Sequence, residues 1–259
     1  MRDDIKNNDF GFKHLSITSL KMHLRCNLQF MYRYIKGLKI PPVGAVVLGK
    51  SVHKGLEENF KHKKQTRIDL PINKVLDVYS AYFDQTKQEE EIDWEGENPG
   101  RLKDEGVGLI KVYHKEVAPA IYPISVEEEF ELGFENVPYT LKGYLDLVDQ
   151  NKIIRDTKTS KRSYPEDAAQ TDLQLTAYNL AYKYLKGEEP KSLCFDIMVR
   201  TKQPKIQTIQ SPPRNPAQLT RFLKLLGSIA HVIKTGIFYP CENQQVCSWC
   251  GYKEICKRW

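Results

Sequence analysis

The chain has no apolar run approaching the roughly 20 residues that a bilayer-spanning helix needs, so no membrane partner is expected. Its opening decapeptide, MRDDIKNNDF, has no apolar core and does not read as a secretory leader, which makes the cytoplasm the expected location. There is no internal repeat and no low-complexity segment, which argues against a solenoid or a largely disordered chain. A second Cys-x₂-Cys pair is also missing, although zinc ribbons usually supply two. Strong charge of either sign is absent too: the net charge of +6 is compatible with a polyanionic partner but does not demand one.

What is present is an ordinary globular balance, 41% hydrophobic and 28% charged, in a chain of 259 residues that can bury a sizeable core. Helical patterns are read over 19–35, with Thr18 and Ser19 as N-caps, and over 46–62, 73–92 and 100–118. The pattern then turns β-rich at 122–132 (YPISVEEEFEL), 138–149 (PYTLKGYLDLVD) and 152–158 (KIIRDTK), with Asp149-Gln150-Asn151 suited to a hairpin loop. A helix over 167–186, strands at 192–200 and 205–210, and a last helix over 215–235 follow. This order predicts a mixed α/β fold, with helices packed around a modest mixed sheet. We read 1–259 as one domain: a mainly helical part at 16–120, a sheet core at 121–211, and a C-terminal helix with cysteines at 212–259.

The hairpin carries the chemistry. Side chains alternate faces along a strand, so Asp156 and Lys158 point the same way. Asp146 lies on the preceding strand, across a tight connection. Leu141, Leu145 and Leu147 alternate with Asp146, and Ile154 precedes Asp156, so these charges sit in apolar strands. Burying two carboxylates and an ammonium there is costly unless they pair or hold a metal. Phosphodiester hydrolysis wants this set: hard carboxylates for Mg²⁺ or Mn²⁺, and a lysine to orient water or offset developing charge. An isolated Asp-x-Lys is common and is usually a surface ion pair, so the neighbouring segments matter. Gly49 and His53 stand one helical turn apart, the glycine permitting close approach and the histidine able to complete a metal shell. Gln174 and Tyr178 form a second i,i+4 pair on the helix after the hairpin.

The run "GKSVHKGLEENF … VEEEFEL … LKGYLDLVDQNKIIRDTKTSK … QLTAYNLAY" resembles the RecB-type branch of the PD-(D/E)XK nuclease superfamily, in family order from about residue 16 to 258. That resemblance implies a restriction-endonuclease-like fold. It makes His53, Asp146 and Asp156 metal ligands with help from the Thr157 carbonyl, Lys158 the catalytic lysine, and Gln174 and Tyr178 the QxxxY motif. Glu127 falls where some members carry an acid, with Glu128 and Glu129 as competing registers.

Four of the six cysteines, Cys241, Cys247, Cys250 and Cys256, crowd the C-terminus. In a reducing compartment this reads as metal binding or redox chemistry. Cys247, Cys250 and Cys256 offer three thiolates, and Cys26 in SLKMHLRCNLQF is the natural fourth. Reduced structural thiols and a four-cysteine zinc site are the competing readings. The segment around Cys26 is similar to the N-terminal cysteine motif of iron–sulfur nucleases in the same branch, including CRISPR adaptation nucleases and AddB-type subunits. The resemblance implies a [4Fe-4S] cluster on Cys26, Cys247, Cys250 and Cys256, leaving Cys194 and Cys241 free.

Residues 44–51, GAVVLGKS, match the P-loop pattern letter for letter, and Leu193-Cys194-Phe195-Asp196 passes for a Walker-B strand. The context is wrong for an ATPase, because Lys-Ile-Pro-Pro-Val precedes the run where a buried strand should be. The expectation is therefore a Mg²⁺- or Mn²⁺-dependent deoxyribonuclease, an exonuclease on single-stranded DNA or DNA ends, serving recombination, repair or CRISPR adaptation. The alternative is a DNA-binding iron–sulfur subunit that cuts only with a helicase, recombinase or integrase partner. Tyr32, Tyr34 and Tyr178 are aromatic candidates for stacking bases, with core packing as the simpler role.

Overall fold

The computed structural model describes residues 11–135 and 137–259; the decapeptide read as lacking a leader core lies outside them. A two-residue strand β1 (His14–Leu15) precedes α1 (Ile17–Arg25), α2 (Asn27–Phe30) and a π-helical turn, Met31–Ile35. Three long helices follow: α3 (Gly44–Thr66), α4 (Ile72–Glu89) and α5 (Pro99–Glu116). Strands β2 (Pro123–Phe134), β3 (Val137–Asp149) and β4 (Ile153–Ser160) come next, then α6 (Ala168–Thr171) and α7 (Leu173–Lys186). The chain closes with β5 (Ser192–Val199), β6 (Lys205–Ser211), α8 (Pro216–Thr235), α9 (Gln244–Ser248) and α10 (Lys253–Cys256). The architecture is mixed α/β, a mixed sheet flanked by helices. Among the described residues, no helix is long and apolar enough to cross a membrane.

The chain divides into two compact units, one of 1–40, 129–143 and 214–259, the other of 41–128 and 144–213. In the second unit, β3 and β4 form an antiparallel hairpin with Leu147 opposite Arg155. Its turn is fixed by Asp149 Oδ1, which accepts from the backbone N–H of Asn151 (2.8 Å) and of Ile153 (3.1 Å). Strand β5 runs parallel to β4, placing Phe195 beside Asp156, and β6 returns antiparallel to β5. Helices α3, α4 and α5 pack through Val47, Val52, Leu56, Tyr79, Leu109 and Tyr113 into one buried core with Leu147 and Met198 of the sheet. Removing these apolar surfaces from water is the main force holding the sheet in place.

In the first unit, β1 pairs parallel with β3, His14 against Thr140 and Leu15 against Leu141. The helix expected over 19–35 is interrupted here. Ser16, rather than Thr18 or Ser19, caps α1, in a capping box with Ser19. Cys26 then takes an extended conformation (φ −163°, ψ 112°) that ends α1 and starts α2. The helix expected over 167–186 is divided too, because the Asp172 side chain accepts from the backbone N–H groups of Gln174 and Leu175 and so caps a new helix, α7. Gly187 ends α7 at φ 69°, a left-handed conformation that glycine adopts without strain.

The P-loop look-alike is helix, not loop. Residues 44–51 lie inside α3, and Ser51 Oγ donates to the Val47 carbonyl at 2.8 Å. Asp196 of the Walker-B look-alike is buried and accepts from Arg155 Nη1 (3.2 Å) and Tyr113 OH (3.2 Å) on β5.

Candidate active site and cysteine cluster

Strand alternation does at β4 what the sequence predicts. Arg155 and Thr157 belong to one face, where Arg155 meets Asp196. Asp156 and Lys158 belong to the other, where α7 covers them. Asp156 has a side chain that is 0% exposed, and Lys158 Nζ donates to its Oδ1 at 2.9 Å. Gln174 ties this pair to the helix: its Oε1 accepts from Lys158 Nζ (3.0 Å), and its Nε2 donates to Asp156 Oδ1 (3.0 Å) and to Tyr178 OH (2.8 Å). Tyr178 OH in turn donates to Asp146 Oδ1 at 2.7 Å. The i,i+4 pair thus connects both carboxylates and the lysine in one network. Gln174 sits in the first turn of α7, held there by the Asp172 cap.

His53 reaches the same place from α3. Its Nδ1 lies 3.6 Å from Asp146 Oδ2, and its Nε2 donates to the Thr157 carbonyl. His53 and Thr157, both expected to face a metal, therefore meet one another here. Gly49, one turn earlier, has a different purpose from the one expected of it: a Cβ there would sit 3.3 Å from Thr159 Oγ1, so its smallness lets the helix approach β4.

Burial dominates the electrostatics. It pushes the Asp156 carboxyl up to about 8, reinforced by the facing Asp146 and opposed by Lys158. Asp146 is raised for the same first reason. Burial works against the Lys158 charge, but Asp156 and Asp146 outweigh it and hold the ammonium above its ordinary value. Burial lowers His53 and favours the neutral imidazole, which is the ligating form.

One atom stands out. Asp156 Oδ2 is buried without a hydrogen-bond partner; its near contact is Lys158 Nζ at 2.7 Å, an ionic approach. A fully buried carboxylate beside a second carboxylate and a neutral imidazole is a hard-donor set that fits a divalent cation. As they stand, no three His, Cys, Asp or Glu side chains among the described residues are drawn into a closed ligand shell. The fit therefore rests on the chemistry of the donors.

Sequence reasoning left Glu127 in an ambiguous register, and the structure separates the three glutamates. Glu128 is engaged by Ser125 and Lys186, and Glu129 by Lys142. Glu127 has a left-handed φ of 49° that turns it among Glu57, Lys61 and Lys54, within electrostatic reach of Asp156. Burial, with Glu57, pushes its carboxyl up to about 7. Glu57 carries the only signal that could have drawn attention to this edge, its i,i+4 spacing from His53.

In the first unit, Cys26, Tyr32, Leu28 and Tyr252 are buried together, and Cys241, Cys250 and Cys256 pack against them. Gln29 Nε2 donates to Cys250 Sγ at 2.9 Å. Tyr252 OH donates to the Leu38 carbonyl (2.7 Å), and its ring lies 5.6 Å from that of Tyr32. A Cβ on Gly251 would come within 2.5 Å of Ile40 Cδ1, so the chain between Cys250 and Tyr252 is pressed against Ile40. Cys194 lies elsewhere, buried in β5 next to Arg155 Nη1 at 3.5 Å. Cys241, which the resemblance leaves outside the cluster ligands, packs against the same apolar cluster as Cys250 and Cys256. Tyr32 and Tyr178, at 8% and 4% exposure, are too buried to stack on a base. Tyr34 packs on Phe30 and Phe12.

Two carboxylates and a lysine on a hairpin of a mixed sheet, met by an imidazole from α3, are the residue types of a metal-dependent hydrolase of phosphate esters. The chain belongs to the PD-(D/E)XK nuclease superfamily, whose sequence model matches residues 14–257. It is accordingly a nuclease. A crystal structure from Eubacterium rectale, of a protein provisionally assigned as an exonuclease, is similar over 100% of this chain and 92% of that one. Its TM-score is 0.63 at 11% identity, which shows a shared fold. A second solved protein, SSO0001, covers 93% of each chain at 13% identity and a TM-score of 0.38, too distant to carry an argument. No curated protein matches the sequence.

The network makes a separable prediction for Tyr178. Tyr178→Phe keeps the ring and removes the hydroxyl that joins Gln174 to Asp146. Initial cleavage rates are expected to fall roughly 10-fold while the thermal midpoint stays near wild type. An unchanged rate would show that the hydroxyl does not position Asp146.

Proposed function

We propose that this chain is a Mg²⁺- or Mn²⁺-dependent deoxyribonuclease of the RecB-type branch, acting as an exonuclease on single-stranded DNA or DNA ends. The single observation that carries the metal-dependent part is the fully buried Asp156 carboxyl facing Asp146, with the Lys158 ammonium 2.7 Å from its Oδ2. Asp146, Asp156 and His53 would hold the ion, with the Thr157 carbonyl available once His53 turns to it. A divalent cation, when bound, acidifies a water and offsets phosphate charge. Lys158 holds its ammonium where negative charge develops on the phosphate, and Gln174 keeps that ammonium aimed. Tyr178 and Gln174 fix the two carboxylates so that neither must reorganise during the reaction.

The preference for DNA ends and single strands is supported by the branch resemblance and by the provisional assignment of the Eubacterium rectale neighbour. By the same resemblance, a helicase, recombinase or integrase is the class of protein partner, in recombination, repair or CRISPR adaptation, and the whole chain, 1–259, is one nuclease domain. We read the clustered thiols as the seat of a [4Fe-4S] cluster on Cys26, Cys247, Cys250 and Cys256. The support is that Cys26, Cys250 and Cys256 gather in one apolar cluster, with Cys247 three residues before Cys250.

The test is one assay with end-labelled linear and covalently closed circular single strands, with and without Mn²⁺. The expected result is Mn²⁺-dependent loss of the linear strand with the circle intact. Cutting of the circle would overturn the exonuclease reading, and cutting without any divalent ion would overturn the metal reading.

A further inference from the structure

Acidic residues are missing from two long stretches, 11–56 and 212–241, while lysine and arginine recur through both. The fold brings parts of these stretches together in the first unit, where α1 packs against α8. Arg25 is exposed at the end of α1, and Arg221 and Lys224 are exposed one turn apart on α8. Among the carboxylates of this unit, Glu129 and Glu131 are offset by Lys142, and Glu254 by Lys257. The face that α1 and α8 present is therefore basic and suits a polyanion.

An open cavity lies between the two helices. His23 and Arg25 line it from α1, Leu225, Ile229 and Val232 from α8, and Tyr239 from the segment that follows α8. Arg221 stands one turn before Leu225 on the same helical stripe, which puts it on the cavity side of α8. Three features of the lining suit a nucleobase. Tyr239 is 55% exposed, and its backbone is held by Asn27, which accepts from the Tyr239 N–H at 2.8 Å and donates to the Ile237 carbonyl at 3.3 Å. A solvent-facing ring on a fixed backbone is a stacking platform. His23 is buried edge-on against Phe30, and its Nε2 has no hydrogen-bond partner. A buried polar atom in that state costs free energy that a donor or acceptor on a base edge would recover. The three aliphatic side chains supply an apolar wall for the face of a base.

We propose that the α1–α8 face holds single-stranded DNA, with Tyr239 stacking on a base, His23 meeting the base edge, and Arg25, Arg221 and Lys224 on the phosphates. The inference rests on the reading that the chain acts on DNA, and it adds a strand-holding surface on the unit that does not carry Asp156 and Lys158. A single strand is favoured over a duplex because only unpaired bases can turn a face and an edge into such a cavity. Tyr239 thereby takes the stacking role that the buried Tyr32 and Tyr178 cannot fill.

The experiment is fluorescence anisotropy of a short labelled oligothymidylate with the full-length chain in EDTA, where nothing is cut, over a series of salt concentrations. It compares wild type, Tyr239→Ala, His23→Phe and the double variant Arg221→Ala with Lys224→Ala. Tyr239→Ala is expected to weaken binding roughly 10-fold and leave the salt dependence unchanged. His23→Phe, which keeps a ring and loses the nitrogen, should weaken it a few-fold. The double variant should lower the slope of log affinity against log salt by about 1.4, two phosphate contacts on a single strand. An abasic strand should bind wild type and Tyr239→Ala alike. Wild-type affinity in every variant overturns the surface, and a duplex that loses as much as the single strand on Tyr239→Ala overturns the single-strand assignment. A wild type that binds the strand in EDTA but never cuts it with Mn²⁺ overturns the exonuclease reading and leaves this surface standing.

Discussion

Asp156→Ala and Lys158→Ala will each remove DNA cleavage while leaving a folded, DNA-binding protein. Lys158 holds its ammonium against Asp156, so its loss is expected to lower kcat by about 10²–10³-fold, the usual cost of removing one pre-aimed charge donor. Loss of Asp156 removes a proposed metal ligand as well and should leave no measurable activity. The sign of the stability change should be opposite. The Asp156 carboxyl is fully buried and faces Asp146, and burial with that second carboxylate outweighs the Lys158 ammonium at its Oδ2. The metal-free protein therefore carries an electrostatic strain that Asp156→Asn relieves. We expect the metal-free thermal midpoint of Asp156→Asn to rise by a few degrees, since about 1 kcal/mol corresponds to roughly 2–4 °C in a chain of this size. A midpoint that falls would mean that the carboxylate is a structural partner of Lys158 rather than a ligand kept at a cost.

The second large effect lies at the cysteines. Cys26 and the terminal thiols are almost a whole chain apart in sequence, and a metal site on them closes a loop of roughly 200 residues. A cross-link of that span restrains the unfolded chain by about 5 kcal/mol in the loop-entropy model. Metal removal by chelation, or Cys250→Ser, should therefore lower the thermal midpoint by roughly 10–20 °C. The hydrogen-bond network of Asp146, Asp156, Lys158, Gln174 and Tyr178 lies wholly within the other compact unit, so Mn²⁺ should still bind there below the lowered midpoint. Equal thermal midpoints with and without chelator would show that the thiols are ordinary packing residues.

The grouping of the candidate residues was readable because it depends on short periodicities. A period of two places Asp156 with Lys158, and a period of 3.6 places Gln174 with Tyr178, whatever the rest of the chain does. The long helices α3, α4 and α5 and the hairpin were legible for the same reason. Features governed by single residues in context were not. The two residues of β1 are too few to show alternation, and α9 and α10 are too short to show a helical period. Cys26 breaks the helical pattern through an extended backbone at a residue that packs with Tyr252, far along the chain. Asp172 splits another, since a caps side chain competes with helix continuation only once its backbone is extended. The choice among Glu127, Glu128 and Glu129 turns on a left-handed φ that no pattern of three identical residues discloses.

The most direct test of the account is calorimetric titration of Mn²⁺ into wild type and Asp156→Asn under identical conditions. The account predicts binding to wild type and an affinity weakened by more than about 100-fold in the variant, because the buried carboxylate is a ligand. Equal affinities in the two proteins would contradict it.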